Sequence, residues 1–161
     1  IIYNSKGALR HIVADAKNNV LYISDMLKAK IYKVNMTDDS VIEFTKTDSH
    51  PNTIELMYDN KVLAVSCRGV NNKQSYYLPG PTWGSIQLFD TTSGRLLDSV
   101  IGGNQPTALG VASSTLAFSN FLDRKIESYQ FPSYDELIQK SASSSWTIDY
   151  KKYLIKSAIS Q

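Results

Sequence analysis

Apolar residues in this chain fall in short runs, some alternating with polar residues and some continuous, and turn-forming residues separate them. From His11 to Asn35 the phrase is HIVADAKNNVLYISDMLKAKIYKVN. HIVAD alternates, Lys17-Asn18-Asn19 turns, VLYIS is a continuous apolar run, Asp25 to Lys30 turns again, and IYKV alternates. Runs of this length and period predict short antiparallel strands rather than helices. A fourth strand, Val41–Thr47, completes a first unit from about Leu9 to Asp48. The phrase returns as PNTIELMYDNKVLAVS at Pro51 and as PTALGVASSTLAFS at Pro106. Ser24 and Ser66 stand 42 residues apart, a spacing that fits the blade of a β-propeller.

The second unit resumes after an insertion, with strands over Ser85–Asp90 and Arg95–Gly103; the third ends near Phe131. Ser133-Tyr134-Asp135-Glu136 then reads as a capping box, in which the serine oxygen and the glutamate carboxylate each satisfy a free backbone N–H, so a short helix is predicted through about Lys140. Trp146, Tyr150, Tyr153, Leu154 and Ser157 recur at helical spacing and predict a second helix packed on the sheet edge, the alternative being an ordered C-terminal extension. The predicted class is all-β: a partial β-propeller of about three four-stranded blades, residues 1–132, with a helical C-terminal extension, residues 133–161. Three blades do not close a ring that typically takes four to eight. The N-terminal IIYNSKGALR starts mid-phrase, as the last strand of a preceding unit would. The expectation is therefore that the remaining blades come from sequence N-terminal to this chain.

Composition narrows the partners. A hydrophobic fraction of 42% is ordinary for a domain with a core. A net charge of +2 makes no electrostatic case for nucleic acid. Ten tyrosines suit pleated, half-buried surfaces. No apolar run approaches the ~18 residues of a membrane span. The single cysteine, Cys67, follows an apolar strand and reads as a buried, inert thiol without an intrachain partner.

RHIVADAKNNVLYISD, PNTIELMYDNKVLAVSCRG and GGNQPTALGVASSTLAFSNFLDRKIESYQF together resemble the YVTN-repeat β-propellers over about residues 8–131. That family's signature strand ends Tyr-Val-Thr-Asn. It stands here as Tyr22-Ile23-Ser24-Asp25, Ala64-Val65-Ser66-Cys67 and Ala117-Phe118-Ser119-Asn120. The departures are Cys67 in the Asn slot and a helical end in place of the third unit's fourth strand. The resemblance implies a ring of about seven blades and an extracytoplasmic address: periplasmic, secreted or cell-surface.

In a propeller the strand nearest the axis begins each unit, so the residues at its start line one mouth of the ring. By repeat position these are Arg10 and His11, Asn52 and Thr53, and Gln105 and Thr107. Convergent polar groups there make a binding site or simply hold water. His11 and His50 reach corresponding places in adjacent units and amount to half a metal site, short of the three or four protein ligands that zinc or iron takes; no metal or other cofactor is expected. Arg68 follows the second strand and either serves the turn or points into the mouth. The insertion from Val70 to Trp83 carries Lys73, Tyr76, Tyr77 and Trp83, stiffened by Pro79-Gly80-Pro81. Long loops on a rigid scaffold often carry binding, and aromatics beside a cation stack on rings; the same residues also suit a flap packed on the next blade.

No nucleophile elbow, phosphate loop, zinc-protease helix or dinucleotide glycine pattern occurs. The acid pairs Asp38-Asp39 and Asp135-Glu136 fall in a turn and a helix cap. The reading is a non-enzymatic binding or scaffold protein whose ligand-binding residues are Arg10, His11, Asn52, Arg68, Lys73, Tyr76, Tyr77, Trp83 and Gln105, facing a protein, small-molecule or glycan partner. The alternatives are a lactonase-like or other metal-dependent hydrolase using the central channel, and a single-stranded nucleic acid binder using the 70–83 insertion.

Overall fold

The computed structural model describes residues 4–143 and 154–159. Within them lie three antiparallel sheets of four strands each. Blade one is β1 (Leu9–Asp15), β2 (Val20–Asp25), β3 (Lys30–Asn35) and β4 (Val41–Lys46). Blade two is β5 (Pro51–Met57), β6 (Val62–Cys67), β7 (Gly84–Asp90) and β8 (Leu96–Gly103). Blade three is β9 (Pro106–Ala112), β10 (Thr115–Asn120), β11 (Lys125–Gln130) and β12 (Leu154–Ile159), with the helix α1 (Tyr134–Ser141) between its last two strands.

The hairpins close through side-chain caps. Carboxylates of Asp15, Asp25 and Asp90 accept the backbone N–H three residues on, from Asn18, Lys28 and Ser93. Asn19, Ala29, Gly94 and Arg124 take the left-handed conformation that lets the chain reverse. Burial alone opposes the charged form of these three aspartates. Hydrogen bonds outweigh it and hold each below the ordinary carboxylate range.

Each inner strand carries one bulge near its start. Leu9 pairs with Asp25 but Ile12 with Ile23; Pro51 pairs with Cys67 but Ile54 with Val65; Pro106 pairs with Asn120 but Leu109 with Phe118. In each case two inner-strand residues oppose a single serine, Ser24, Ser66 or Ser119. A bulge leaves a backbone N–H without its ladder partner. The serine hydroxyl takes it: Ser24 accepts from the His11 N–H at 3.1 Å, Ser66 from the Thr53 N–H at 3.0 Å, and Ser119 from the Ala108 N–H at 3.3 Å. The hydroxyl proton then crosses to the next blade. Ser24 donates to the Asn52 carbonyl at 2.7 Å and Ser66 to the Thr107 carbonyl at 2.9 Å. One small polar residue thus repairs the bulge and bolts consecutive blades together.

Apolar packing fills the space between blades. Ile31, Ile54, Leu63, Val65, Cys67 and Phe89 pack between blades one and two. Val62, Ala64, Ile86, Leu88, Leu116 and Phe118 pack between blades two and three. Blade two is covered on both faces, so β6 and β7 are buried at every position, whereas β10 alternates. α1 closes the end of this core remote from the bulges. Its capping box forms as the sequence predicts, and Leu137 is fully buried in the core between blades two and three. Tyr134 donates to Asp90 and Tyr58 to the Pro132 carbonyl.

The tail departs from expectation. Leu154 and Ser157, placed by their spacing on a second helix, lie in β12, which pairs antiparallel with β11 from Lys125↔Ile159 to Tyr129↔Leu154. Sheet three therefore has its fourth strand, where the sequence pattern predicts a helical replacement. Without β12 the backbone of β11 would be an unpaired edge, and long-range pairing overrides local periodicity. Trp146, Tyr150 and Tyr153, and the outer strand expected at Ile1–Tyr3, lie outside the described residues.

Candidate binding site at the bulge end of the blades

The bulges bring the starts of β1, β5 and β9 to one end of the molecule, and with them the predicted mouth residues. Three further hydrogen bonds repeat there. Met26, Arg68 and Phe121, each just past a second strand, donate their backbone N–H to the carbonyls of Ala8, His50 and Gln105. Arg68 and Phe121 therefore occupy equivalent places over adjacent blades. His50 and Gln105 both adopt the left-handed conformation that aims their carbonyls back at these donors.

Gln105 is the pivot. Its buried side-chain amide accepts from a terminal nitrogen of Arg68 and donates to the Tyr76 carbonyl at 2.7 Å. Its own carbonyl also accepts the Thr107 hydroxyl at 2.9 Å. One residue of blade three thereby holds both an arginine and the insertion of blade two. Arg68 is half-buried, and its Nε has no partner among the described residues. Burial first, and then the charge of Arg10, holds its guanidinium below the ordinary value. Arg10 itself is exposed.

The insertion is a closed loop rather than a strand extension. Gly69 donates to the Ser49 carbonyl, Val70 to the Thr82 hydroxyl, and Asn72 to the Pro79 carbonyl. A side chain at Gly80 would strike the Val70 carbonyl, so the two arms of the loop meet there. Chain ends zipped together in this way describe a compact Ω-type loop. At its tip the Tyr76 and Tyr77 rings lie 4.1 Å apart, and Tyr77 lies 6.0 Å from Phe121 of blade three. All three rings remain about half exposed. The loop is both of the things its composition suggests: anchored across the blade boundary, and open to solvent on its aromatic side.

Cys67 stands where the loop departs from the repeat. In blades one and three the equivalent residues, Asp25 and Asn120, cap tight turns. Cysteine offers no such acceptor, and the chain makes the long excursion in place of the turn. The thiol is fully buried, and that burial, followed by the Asp48 charge, pushes its pKa up. It is not poised as a nucleophile.

The other predicted residues divide. The Asn52 backbone receives the Ser24 bolt, and its residue is buried. His11 Nδ1 accepts the Ile54 N–H at 3.3 Å, which pins the ring between two inner strands. Lys73 lines a shallow depression of the loop with Asn72 and Pro79, apart from Arg68. Trp83 lies toward the outer strands, where it lines a cleft of about 290 Å³ with Asn104, Asp123 and Lys125 and a second of about 310 Å³ with Asp48 and Gln87. Arg68, Gln105, Tyr76 and Tyr77 thus form one cluster, and Arg10 is exposed at the same end of the blades. Phe121 joins the cluster unforeseen; its alignment with Arg68 in the repeat is the signal that points there. No group of three or more His, Cys, Asp or Glu is placed to hold a metal among the described residues.

The arrangement defines the class: this chain is three consecutive blades of a β-propeller fold. It is similar to the WD40 repeats of RRP9 (TM-score 0.67, 12% identity, 99% of this chain and 41% of that one). It is also similar to a chain of the nidogen/laminin complex (TM-score 0.61, 15% identity, 97% and 54%), and to hydrazine synthase of Kuenenia stuttgartiensis (TM-score 0.58, 16% identity, 73% and 32%). At these identities the likeness is one of fold. No family model matches the sequence. In sequence, 127 residues are 38% identical to Antigen Lp49 of Leptospira interrogans serogroup Icterohaemorrhagiae serovar copenhageni, over 77% of this chain. The chain spans 28% of the length of that relative. No helix among the described residues is long and apolar enough to cross a membrane.

Proposed function

We propose that this chain contributes blades to a YVTN-type propeller that works outside the cytoplasm as a non-enzymatic binding protein, presenting the bulge-end cluster and the 70–83 loop to a protein or glycan partner. The observation that carries the reading is the Gln105 pivot. It spends buried hydrogen bonds on fixing a loop whose aromatic side is left open, and rigid placement of exposed aromatics is what recognition surfaces need. The 38% identity to a protein named as an antigen supports an extracytoplasmic address. Residues 1–132 act as the blade unit, residues 133–161 as an extension that caps and completes blade three, and further blades from additional sequence of the same polypeptide complete the ring.

The test is binding of the chain to immobilised extracellular-matrix proteins and acidic glycans, by surface plasmon resonance. The proposal expects at least one such surface to bind and Tyr77→Ala to weaken it about tenfold or more, the scale of an aromatic hot spot. Lys17→Ala, at the opposite end of blade one, should leave it unchanged. Failure to bind any of these surfaces, or equal loss in both variants, would overturn it. A steep fall of affinity with salt and a preference for single-stranded nucleic acid would favour the nucleic acid alternative instead.

A further inference from the structure

Two arginines share the bulge end without an acid to balance them. Among the described residues the ion pairs within 4.0 Å are Lys17–Asp59, Lys30–Glu43 and Lys140–Asp98, and none involves Arg10 or Arg68. Of the Arg68 donors, one terminal nitrogen is bonded to Gln105, and Nε is buried with no hydrogen-bond partner among the described residues. Gln105, itself buried and held by the Tyr76 carbonyl, sets the orientation of that guanidinium. Beside it the Tyr76, Tyr77 and Phe121 rings form a continuous, half-exposed apolar face.

A guanidinium is matched geometrically by a carboxylate, which takes two parallel N–H donors in one plane. A rigid aromatic face beside it is matched by a ring, whether an aromatic ring or the apolar face of a sugar. We propose that Arg10, Arg68 and the Tyr76–Tyr77–Phe121 face together form a site for a carboxylate carried on a ring, such as an acidic sugar or an aromatic acid. This deepens the binding function proposed above and rests on it only for the identity of the surface. Arg10, exposed at the same end of the blades, adds a second positive charge to the surface that the anion approaches, so its affinity should depend on both arginines. Removing Arg10 leaves the Arg68–Gln105–Tyr76 scaffold in place, which makes Arg10 the cleaner probe.

The test uses sodium benzoate as the probe, with benzamide as its uncharged isostere and acetate as the carboxylate without a ring. Binding to the full chain is followed by NMR at the Arg68 Nε–H and the tyrosine ring resonances. Benzoate is expected to shift both sets saturably, with at least fivefold tighter binding than either benzamide or acetate. Arg10→Ala should weaken benzoate at least fivefold, as should Tyr77→Ala, while Arg68→Lys keeps the charge but loses the fork and weakens it as well. Equal binding of benzamide would overturn the charge half of the site, and equal binding of acetate the ring half. Shifts centred on Lys73 or Trp83 rather than Arg68 would overturn the location. Benzoate binding without any macromolecular partner would leave this site standing and the function above refuted; the reverse result would refute this site alone.

Discussion

Ile86 and Ile126 stand at the same place in adjacent blades, each paired across the sheet with the bulge serine, Ser66 or Ser119. Ile86 is fully buried and Ile126 is 59% exposed. Ile31, the equivalent in blade one, is also fully buried. The three side chains have the same chemistry and the same local sheet. What differs is the next blade, present over Ile31 and Ile86 and absent over Ile126 among the described residues. The serines tell the same story in hydrogen bonds: Ser24 and Ser66 donate to the following blade, while Ser119 makes only its own bulge bond among the described residues. A blade in this fold is buried in part by its neighbour, and its repeat sequence is written for that neighbour.

The comparison can be broken by mutation. Ile86→Ala should destabilise the chain by about 2–5 kcal/mol, the range for emptying a packed core site, whereas Ile126→Ala should change it by less than about 0.5 kcal/mol, as surface substitutions do. Urea unfolding of the two variants checks this, and similar losses would show that blade three's outer face is already packed. Ser66→Ala strands a buried N–H and a carbonyl of the next blade and should cost about 1–3 kcal/mol. Ser119→Ala should cost less, since one bond is lost in place of two.

The turn caps sharpen the same contrast. Asp15, Asp25 and Asp90 titrate below the ordinary carboxylate range in the folded chain. A depressed folded pKa contributes stability that is present above the unfolded value and is lost as pH falls through the folded one. Stability should therefore drop as pH is lowered below about 4, the unfolded aspartate value, and this loss should shrink in Asp25→Asn. Blade two's second strand ends in Cys67 and contributes nothing to that titration. A melting temperature flat from pH 6 to pH 2 would contradict the caps. At the far end of the blades from the bulges, Ser133→Ala should remove the capping box of α1 and cost about 1 kcal/mol, readable as a small shift in the urea midpoint.

Much of this was legible along the chain because it is local. Alternation marked the strands, the repeat aligned the three serines, and the capping box placed α1. What local pattern could not supply was distant pairing. Leu154 and Ser157 carry helical spacing, yet β11 needs a partner and takes Leu154–Ile159 as a strand. The loop presented its aromatics as a single group, but Tyr76 and Tyr77 cross to Phe121 while Trp83 falls toward the outer strands. Direction of a loop side chain depends on which blade it meets, and sequence spacing does not encode that. Gln105 read as one more polar residue at the mouth; its role as a pivot comes from the left-handed backbone that turns its carbonyl and amide toward different partners.

The most direct test of the account is thiol accessibility at Ile126. Cys67 is the natural cysteine, fully buried, so an Ile126→Cys variant adds one reactive thiol against a silent background. In the 161-residue chain that thiol should react with maleimide at the rate of an exposed cysteine, with Cys67 unreactive as the sign that the blades are folded. In the longer polypeptide proposed to complete the ring, its reaction should slow by at least about tenfold, because labelling would then require a blade to open. Equal rates in the two would contradict the claim that the outer face of blade three is made to receive another blade.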